Sequence, residues 1–339
     1  MSFQSLPLLA LGLALASCTS MRSPIVPGAK PKDHGAIGAT EGPVWHNGSL
    51  YFTDGKHINR LGPDGKTTVF RHNASNGLAF DKEGRLIACE SGLRRVTRTE
   101  KDGSITVMAD RFKGKRFNTP NDLCIDSKGR VYFTDPRYGS RKGMEISLDT
   151  INSRTSKDEI TMDHVSHSID PLLSDPHIEG VYRIDAPGKT TNVMIGGPRL
   201  YPQRPNGILI SPDDRYMYIA DNNNNNHGGS RKLLRYAIDK HGRATDAGKV
   251  IFDWKNGRGP DGMKMDNAGR IYVAAGTNKA TEFETTEFKA GCYILSPTGR
   301  LIDFIPTAPD ECCNCAFGGA DGKTLFITSG GHLWSVPLR

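Results

Sequence analysis

The stretch that decides the fold is Glu41-Gly-Pro-Val-Trp-His-Asn-Gly-Ser-Leu-Tyr-Phe-Thr-Asp54. It opens with an oxygen-bearing side chain and a glycine, continues as a short apolar strand, turns at a glycine and ends with an apolar strand. The same pattern recurs along the 339-residue chain, which indicates internal repeats. We refer to the opening residues of the six repeats as the axial ring, and they are Glu41, Asn76, Asn121, Asn206, Asp261 and Asn314.

The second half of most repeats adds two more short strands around a glycine turn, as at residues 57–61 and 66–70. The chain also contains 38 glycines and 20 prolines, a composition typical of turn-rich β proteins. Six repeats of four strands predict an all-β fold, a six-bladed β-propeller of four-stranded blades with a central metal channel. Because the last repeat is one strand short at Arg339, we expect residues 24–40 to supply its missing strand and close the ring.

The third repeat is much longer than the others, which indicates an inserted loop at residues 139–178. The insertion is polar and charged, and it contains His164 and His167. Two histidines without a third partner make a weak metal site, so we interpret them as solvent-facing residues. The loop as a whole could serve as a lid over the channel, since long loops in compact domains are often functional. A second polar stretch, the asparagine run at residues 222–226, is interpreted as a surface loop.

The amino terminus predicts export. Residues 6–16 are apolar and are followed by Ser17 and Cys18, so that residues 15–18 resemble the lipobox of bacterial lipoproteins. We therefore predict a lipoprotein-type signal peptide at residues 1–18 with Cys18 lipidated, a tether at 19–38 and the propeller at 39–339. An ordinary secretory signal is the alternative. The protein would then be periplasmic or a membrane-anchored lipoprotein that touches the membrane only through its lipid.

Charge and cysteine content exclude some classes of function. The net charge of +7 comes from scattered basic residues without any nucleic-acid-binding motif, so we expect no nucleic-acid partner. Cys89 and Cys124 lie in apolar strand patterns and are expected to be small buried hydrophobic residues. A carboxy-terminal group of cysteines consists of Cys312, Cys313 and Cys315 and contains one Cys-x-x-Cys spacing. A zinc site would need a second ligand pair, and none is placed to complete it.

The axial ring carries the chemistry. In a propeller the innermost strands line the channel, so six oxygen-bearing side chains would surround one point. Asn and Asp also favour turns, which is an alternative explanation for most of the ring but not for Glu41. Hard oxygen donors predict a divalent metal, with Ca²⁺ favoured and Mg²⁺, Mn²⁺ or Zn²⁺ as alternatives. The carboxylates of Glu41 and Asp261 would balance its charge, and amide oxygens of Asn206 and Asn121 would complete the shell.

Several motifs, in order, resemble the gluconolactonase, senescence-marker-protein and regucalcin family. They are Glu41-Gly-Pro, Pro120-Asn121-Asp122, Arg204-Pro-Asn206-Gly207, Gly259-Pro-Asp261-Gly262 and Asn314-Cys-Ala-Phe-Gly318. The resemblance covers about residues 37–339. It implies a six-bladed propeller with one divalent metal in its channel and lactonase activity.

The resemblance also implies roles for individual residues. Glu41, Asn206 and Asp261 would bind the metal, Asn121 would contact the substrate, and Asp261 would also be the general base. Animal members of the family place an arginine for the sugar where this chain has Thr119. A lactone other than a sugar lactone is therefore an open alternative.

Outside the axial ring, Asp135 resembles a second calcium position of some bacterial members of the family. A turn residue that ends a strand is the alternative interpretation.

These observations predict an exported, metal-dependent lactonase in which metal-activated water, with Asp261 as base, attacks a small-molecule lactone. We expect a monomer. One alternative is a non-catalytic propeller that binds a ligand or a protein on its loops. Another is a related propeller enzyme that acts on phosphoesters or condenses alkaloid precursors.

Overall fold

The structure is a computed structural model that describes residues 22–74, 76–138, 179–194, 202–224, 226–308 and 310–339. The described residues form β-strands and turns without a helix. Accordingly, no helix in this part of the chain is long and apolar enough to cross a membrane. The signal peptide predicted at 1–18, with Cys18, and the insertion predicted at 139–178 lie outside the described residues.

Six antiparallel sheets of four strands confirm the predicted propeller. Blade 1 consists of β2 (Glu41–His46), β3 (Ser49–Thr53), β4 (His57–Leu61) and β5 (Thr67–His72). Blade 2 consists of β6 (Leu78–Phe80), β7 (Leu86–Glu90), β8 (Arg95–Thr99) and β9 (Ile105–Ala109). A small hairpin follows, made of β10 (Arg111–Phe112) and β11 (Lys115–Arg116).

The remaining blades repeat the same order. Blade 3 consists of β12 (Leu123–Ile125), β13 (Val131–Asp135), β14 (Gly180–Ala186) and β15 (Lys189–Met194). Blade 4 consists of β16 (Pro205–Ile210), β17 (Tyr216–Asn222), β18 (Arg231–Ala237) and β19 (Lys249–Asp253). Blade 5 consists of β20 (Met263–Met265), β21 (Ile271–Ala275), β22 (Gly291–Leu295) and β23 (Leu301–Pro306). The predicted insertion falls between β13 and β14, the second and third strands of blade 3.

Blade 6 joins the two ends of the chain. It consists of β24 (Cys312–Gly318), β25 (Thr324–Ser329), β26 (Gly331–Pro337) and, on the outside, β1 (Lys32–Ala39). The pairing of β1 with β26 confirms that the amino-terminal segment supplies the missing strand. The prediction of a tether through residue 38 is wrong for residues 32–38, because closing the ring needs their backbone hydrogen bonds. Ile25 is bridged to Leu338 as well, so the packed region begins well before residue 39.

A repeated aspartate–arginine turn explains the Gly-Arg steps of the sequence. Asp81 accepts hydrogen bonds from the backbone nitrogen of Arg85 at 2.8 Å and from its Nε at 2.7 Å. One carboxylate thus closes the turn between the first two strands of blade 2. The same two bonds recur in blades 3 and 5, in the pairs Asp126–Arg130 and Asp266–Arg270.

The hydrophobic core is divided among the interfaces between neighbouring blades. Each of the six clusters of buried side chains contains residues of two adjacent blades. For example, Ala39 and Leu333 of blade 6 pack with Leu50 and Phe52 of blade 1. Burial of apolar surface therefore joins the blades all around the ring and fixes the innermost strands relative to one another.

Close backbone approach at the axis explains why glycine follows the ring residue in most repeats. Thr134 Oγ1 of blade 3 donates a hydrogen bond to the carbonyl oxygen of Asn206 in blade 4 at 2.6 Å. At Gly207 a Cβ would lie 2.2 Å from the carbonyl oxygen of Asp261 in blade 5. Successive ring residues are thus held together by backbone contacts that only glycine permits.

Candidate metal centre

A cavity of about 330 Å³ lies where the innermost strands of the blades begin. Four of the six residues of the axial ring line it, and they are Glu41, Asn121, Asn206 and Asp261. The structure therefore brings together every residue that the sequence assigned to metal, substrate or base. The other lining residues are Tyr138, Asn222, Asn224, Arg258, Glu311 and Cys313.

The remaining two ring residues do not line the cavity, so the predicted six-membered ring is wrong in this respect. Asn76 Nδ2 donates to Ser91 Oγ at 3.2 Å. Asn314 Nδ2 donates to Glu41 Oε2 at 2.9 Å, while its Oδ1 accepts a hydrogen bond from the backbone nitrogen of Cys315. The amide of Asn314 is thus used to orient Glu41.

A thiol takes the place that the sequence gave to Asn314. Ligand atoms of Glu41, Asp261 and Cys313 all lie within 4.8 Å of one another. The register of β24 against β25 shifts between Cys312 and Asn314, and such an irregularity re-aims the side chains next to it. The expectation of an all-oxygen site is therefore incomplete.

The neighbouring cysteines are used differently. Cys312 and Cys315 are fully buried in the cluster between blades 5 and 6, and only Cys313 of the three lines the cavity. The Cys-x-x-Cys spacing is thus not a ligand pair. The sequence signal that could have found Cys313 is its position next to the ring residue Asn314.

Burial and like charge make the two carboxyl groups costly to ionise without a cation. Burial and the neighbouring Asp261 carboxylate raise the pKa of Glu41 well above its usual range. Burial also raises the pKa of Asp261, although the guanidinium of Arg258 opposes the shift. Two such acids beside a thiol are the donor set that a divalent cation needs, so the residues fit the metal expected from the resemblance.

Arg258 is the main cationic group at the cavity, and the sequence analysis missed it. Its guanidinium lies 3.4 Å from Asp261 Oδ2, 2.9 Å from Glu311 Oε2 and 3.7 Å from Glu284 Oε1. Thr119, at the position of the family's arginine, instead donates its hydroxyl to the carbonyl oxygen of Pro136 at 2.5 Å. A cationic group is present at the site, but it comes from the segment between β19 of blade 4 and β20 of blade 5.

Tyr138 links two asparagines of the cavity. Its hydroxyl donates to the carbonyl oxygen of Asn222 at 2.6 Å, and Asn206 Nδ2 donates to the same hydroxyl at 3.4 Å. Arg204 lies over the ring at 5.3 Å from its centroid. Because the nitrogen of the Asn206 amide faces Tyr138, its Oδ1 is the atom left for a cation.

The asparagine run is not entirely a surface loop, so that prediction is wrong for Asn222, Asn223 and Asn224, of which Asn223 is 7% exposed. Asn222 ends β17, is 1% exposed and lines the cavity together with Asn224. Neither polar atom of the Asn222 side chain has a hydrogen-bond partner among the described residues. A buried amide without a protein partner at a cavity can bind a water molecule or a ligand there.

Asp135 lies away from the cavity lining. Its Oδ2 accepts a hydrogen bond from the backbone nitrogen of Asn118 at 2.9 Å, and Asn118 Nδ2 donates to its carbonyl oxygen at 3.1 Å. Burial raises the pKa of Asp135 well above its usual range. These contacts favour the interpretation as a structural residue at the end of β13.

Comparison with known proteins gives related lactonases. The gluconolactonase of Zymomonas mobilis is 28% identical over 327 residues, a match that covers 88% of this chain and 78% of that protein. The solved gluconolactonase of Xanthomonas campestris is 26% identical, with a TM-score of 0.68 over 93% of this chain and 92% of that one.

The calcium-binding regucalcin of Agrobacterium tumefaciens shares the fold, with a TM-score of 0.62 at 17% identity over 90% of this chain and 92% of that one. The profile of the SMP-30/gluconolactonase/LRE-like family matches residues 39–331, which is nearly all of the propeller. The chain therefore belongs to the SMP-30/gluconolactonase/LRE-like family.

Proposed function

We propose that the protein is a metal-dependent lactonase whose active site is the axial cavity. The observation that carries this proposal is the convergence of Glu41, Asp261 and Cys313 within 4.8 Å, beside Asn121 and Asn206. The gluconolactonases among its relatives support lactone hydrolysis. The calcium-binding regucalcin among its structural neighbours supports a divalent ion.

Glu41, Asn206 and Asp261 would hold a divalent cation, which would supply electrophilic polarisation of the lactone carbonyl and acidify water. Asp261 accepts a proton from water as the water oxygen bonds to the carbonyl carbon. The endocyclic carbon–oxygen bond then breaks, and the ring oxygen leaves as a hydroxyl group by taking that proton back from Asp261. The product is the open-chain hydroxy acid. In the ion-free protein, burial raises the pKa of Asp261 to about 7, within the range of a general base at neutral pH.

The polar wall of the cavity orients the substrate. Asn121 is 7% exposed and lines the cavity, where its amide can bind the lactone oxygens. Asn222 offers an unpartnered amide from the next blade, and Arg258 adds a cationic donor. A cavity of about 330 Å³ suits a compact polyhydroxylated ring better than an extended chain.

The test is hydrolysis of glucono-lactone and a panel of other lactones by Asp261→Asn, with Asp135→Asn as the matched control. Both variants replace a buried carboxyl group by an amide, but only Asp261 lines the cavity. Acid release above the spontaneous rate is measured with a pH indicator. We expect Asp261→Asn to lower kcat at least about 100-fold, the usual contribution of a general base.

Retention of wild-type turnover by Asp261→Asn would contradict the proposed base. Wild-type protein that hydrolyses no lactone above background, with or without added divalent ions, would contradict the proposed function itself. That second result would favour a propeller that only binds its ligand.

We also infer that the protein works outside the cytoplasm. The lipobox-like sequence ending at Cys18 supports export and lipid attachment, both of which place the lactonase where sugar lactones formed outside the cell are accessible. Replacing Cys18 with serine should release the protein from the membrane fraction. Unchanged membrane association of Cys18→Ser would contradict the lipid anchor.

A further inference from the structure

The metal cluster contains a thiol. Cys313 lines the cavity, and its ligand atom lies within 4.8 Å of those of Glu41 and Asp261. The sulfur donates a weak hydrogen bond to the carbonyl oxygen of Glu311 at 3.3 Å. The Asn222 amide lies on the same cavity without a hydrogen-bond partner among the described residues, so it offers further polar atoms to a ligand there.

We propose that Cys313 is a further protein ligand of the axial ion, and that its thiolate makes the site prefer zinc and other thiophilic ions over calcium. This inference rests on the proposed function, because it assumes a divalent ion in the cavity. It replaces the expectation of Ca²⁺, which was based on oxygen donors alone.

The backbone holds Cys313 in place for this role. The nitrogen of Gly262, the residue after Asp261, donates a hydrogen bond to the carbonyl oxygen of Cys313 at 2.7 Å. Two of the three ligands are thereby joined across the interface of blades 5 and 6. Glu41 is fixed against the same segment through Asn314 Nδ2, which donates to its Oε2 at 2.9 Å. Hydrogen bonds from residues adjacent to the ligands therefore hold the three donors in place, as hydrogen bonds around metal ligands generally do.

The donor types, rather than the distances, favour a thiophilic ion. The three ligand atoms lie within 4.8 Å of one another, which is close enough for them to converge on one ion. Zinc binds thiolate sulfur at about 2.3 Å and carboxylate oxygen at about 2.0–2.2 Å, so the side chains would move slightly closer together around it. Catalytic zinc sites use three protein ligands and leave room for water or substrate. Here Asn206 and the substrate would share the remaining positions.

The thiolate changes the charge of the site. Binding removes the proton of the Cys313 thiol to solvent as the sulfur–metal bond forms. Two carboxylates and one thiolate then carry three negative charges against two positive charges of the ion. Arg258, 3.4 Å from Asp261 Oδ2, supplies a third positive charge, which it shares with Glu311 at 2.9 Å. Calcium can use the two carboxylates but gains nothing from the thiolate, because it takes oxygen ligands.

The test is to load chelator-treated protein with Co²⁺ and record its absorption spectrum. A cobalt–thiolate bond gives an intense near-ultraviolet charge-transfer band that an all-oxygen cobalt site lacks. We expect this band in the wild type, its loss in Cys313→Ser and its retention in Cys124→Ser. Cys124 is the matched control because it is a partly exposed thiol in β12, outside the cavity lining.

Competition titrations with Zn²⁺ and Ca²⁺ measure the preference. We expect Cys313→Ser to weaken zinc binding at least about 10-fold and to change calcium binding less than about 3-fold. If Cys313→Ser does not fold, labelling of wild-type thiols followed by peptide mapping replaces it. Zinc should then protect Cys313 from a thiol reagent, and calcium should not.

The outcomes separate this inference from the proposed function. A divalent ion that binds without the charge-transfer band, with equal zinc affinity in the wild type and Cys313→Ser, would overturn the role of Cys313 but leave the lactonase proposal standing. If the wild type binds no divalent ion at all, both proposals fall.

Discussion

Replacing Glu41 with glutamine should separate metal binding from folding. In the ion-free protein the Glu41 carboxylate is held by Asn314 Nδ2 and by the backbone nitrogen of Gly42, and burial raises its pKa. Glutamine has nearly the same shape, and its oxygen can still accept the hydrogen bond from Asn314. Because the neutral amide avoids the cost of a buried charge, Glu41→Gln without metal should be at least as stable as the wild type.

Metal binding should become weaker in Glu41→Gln, because the substitution removes one of the two carboxylates of the cluster. Mutation of a residue that only supports a ligand costs up to about 100-fold in affinity, so we expect the loss of a ligand to cost at least about 100-fold. At an ion concentration of 100 Kd, binding stabilises the wild type by about 2.7 kcal/mol. After a 100-fold loss of affinity the same concentration gives only about 0.4 kcal/mol.

Thermal unfolding with and without the ion measures this difference. At about 2 °C per kcal/mol for a domain of this size, the ion should raise the Tm by about 5 °C in the wild type and by about 1 °C in Glu41→Gln. Glu311→Gln is the matched control, because it neutralises another carboxylate of the cavity that lies outside the cluster. A Glu41→Gln protein with the full 5 °C shift would refute the assignment of Glu41 as a metal ligand.

Two further predictions concern the frame of the site. Gly207→Ala should destabilise the fold by about 1–3 kcal/mol and weaken metal binding, because its Cβ would lie 2.2 Å from the Asp261 carbonyl oxygen. Urea unfolding measures the loss of stability. The control Gly92→Ala should show no comparable loss, because a Cβ at Gly92 meets open space. Equal stabilities of the two variants would contradict this. Asp135→Asn should gain stability relative to the wild type as the pH rises from 5 to 7. The raised pKa of Asp135 means that the folded state keeps a proton that the unfolded state loses, so the wild type loses up to about 1.4 kcal/mol per pH unit. Parallel pH profiles of unfolding would contradict the buried, protonated Asp135.

The repeat pattern predicted the fold because each blade is a local unit with its own turn chemistry. The opening of each repeat gave the innermost strand, and the missing last strand required the amino-terminal segment that pairs with β26. The predicted end of the tether was wrong because residues 32–38 are polar and glycine-rich, as a tether would be. Their strand pairing is with β26, near the carboxy terminus, and local composition does not reveal such a long-range contact.

The repeat alignment predicted only those residues of the site that occupy equivalent positions in the repeats. Glu41, Asn121, Asn206 and Asp261 occupy equivalent positions, so alignment of the repeats brought them together. Cys313 also lines the cavity, but it lies one residue before the ring position of Asn314, so alignment of the repeats did not single it out.

Other residues of the site lie outside the repeat pattern altogether. Arg258 reaches the cavity from the segment before β20, and Asn222 reaches it from the end of β17, so neither occupies a ring position. Their roles depend on how adjacent blades meet, which the pattern of a single repeat does not encode.

The most direct test of a metal-dependent lactonase is one titration that follows bound metal and lactone hydrolysis together. Chelator-treated protein is given increasing amounts of a divalent ion, and each sample is analysed for metal content and for its rate of acid release from glucono-lactone. We predict that the rate rises in proportion to bound ion and saturates at one ion per chain. Hydrolysis that is independent of bound metal, or saturation of binding without any gain in rate, would contradict the central claim.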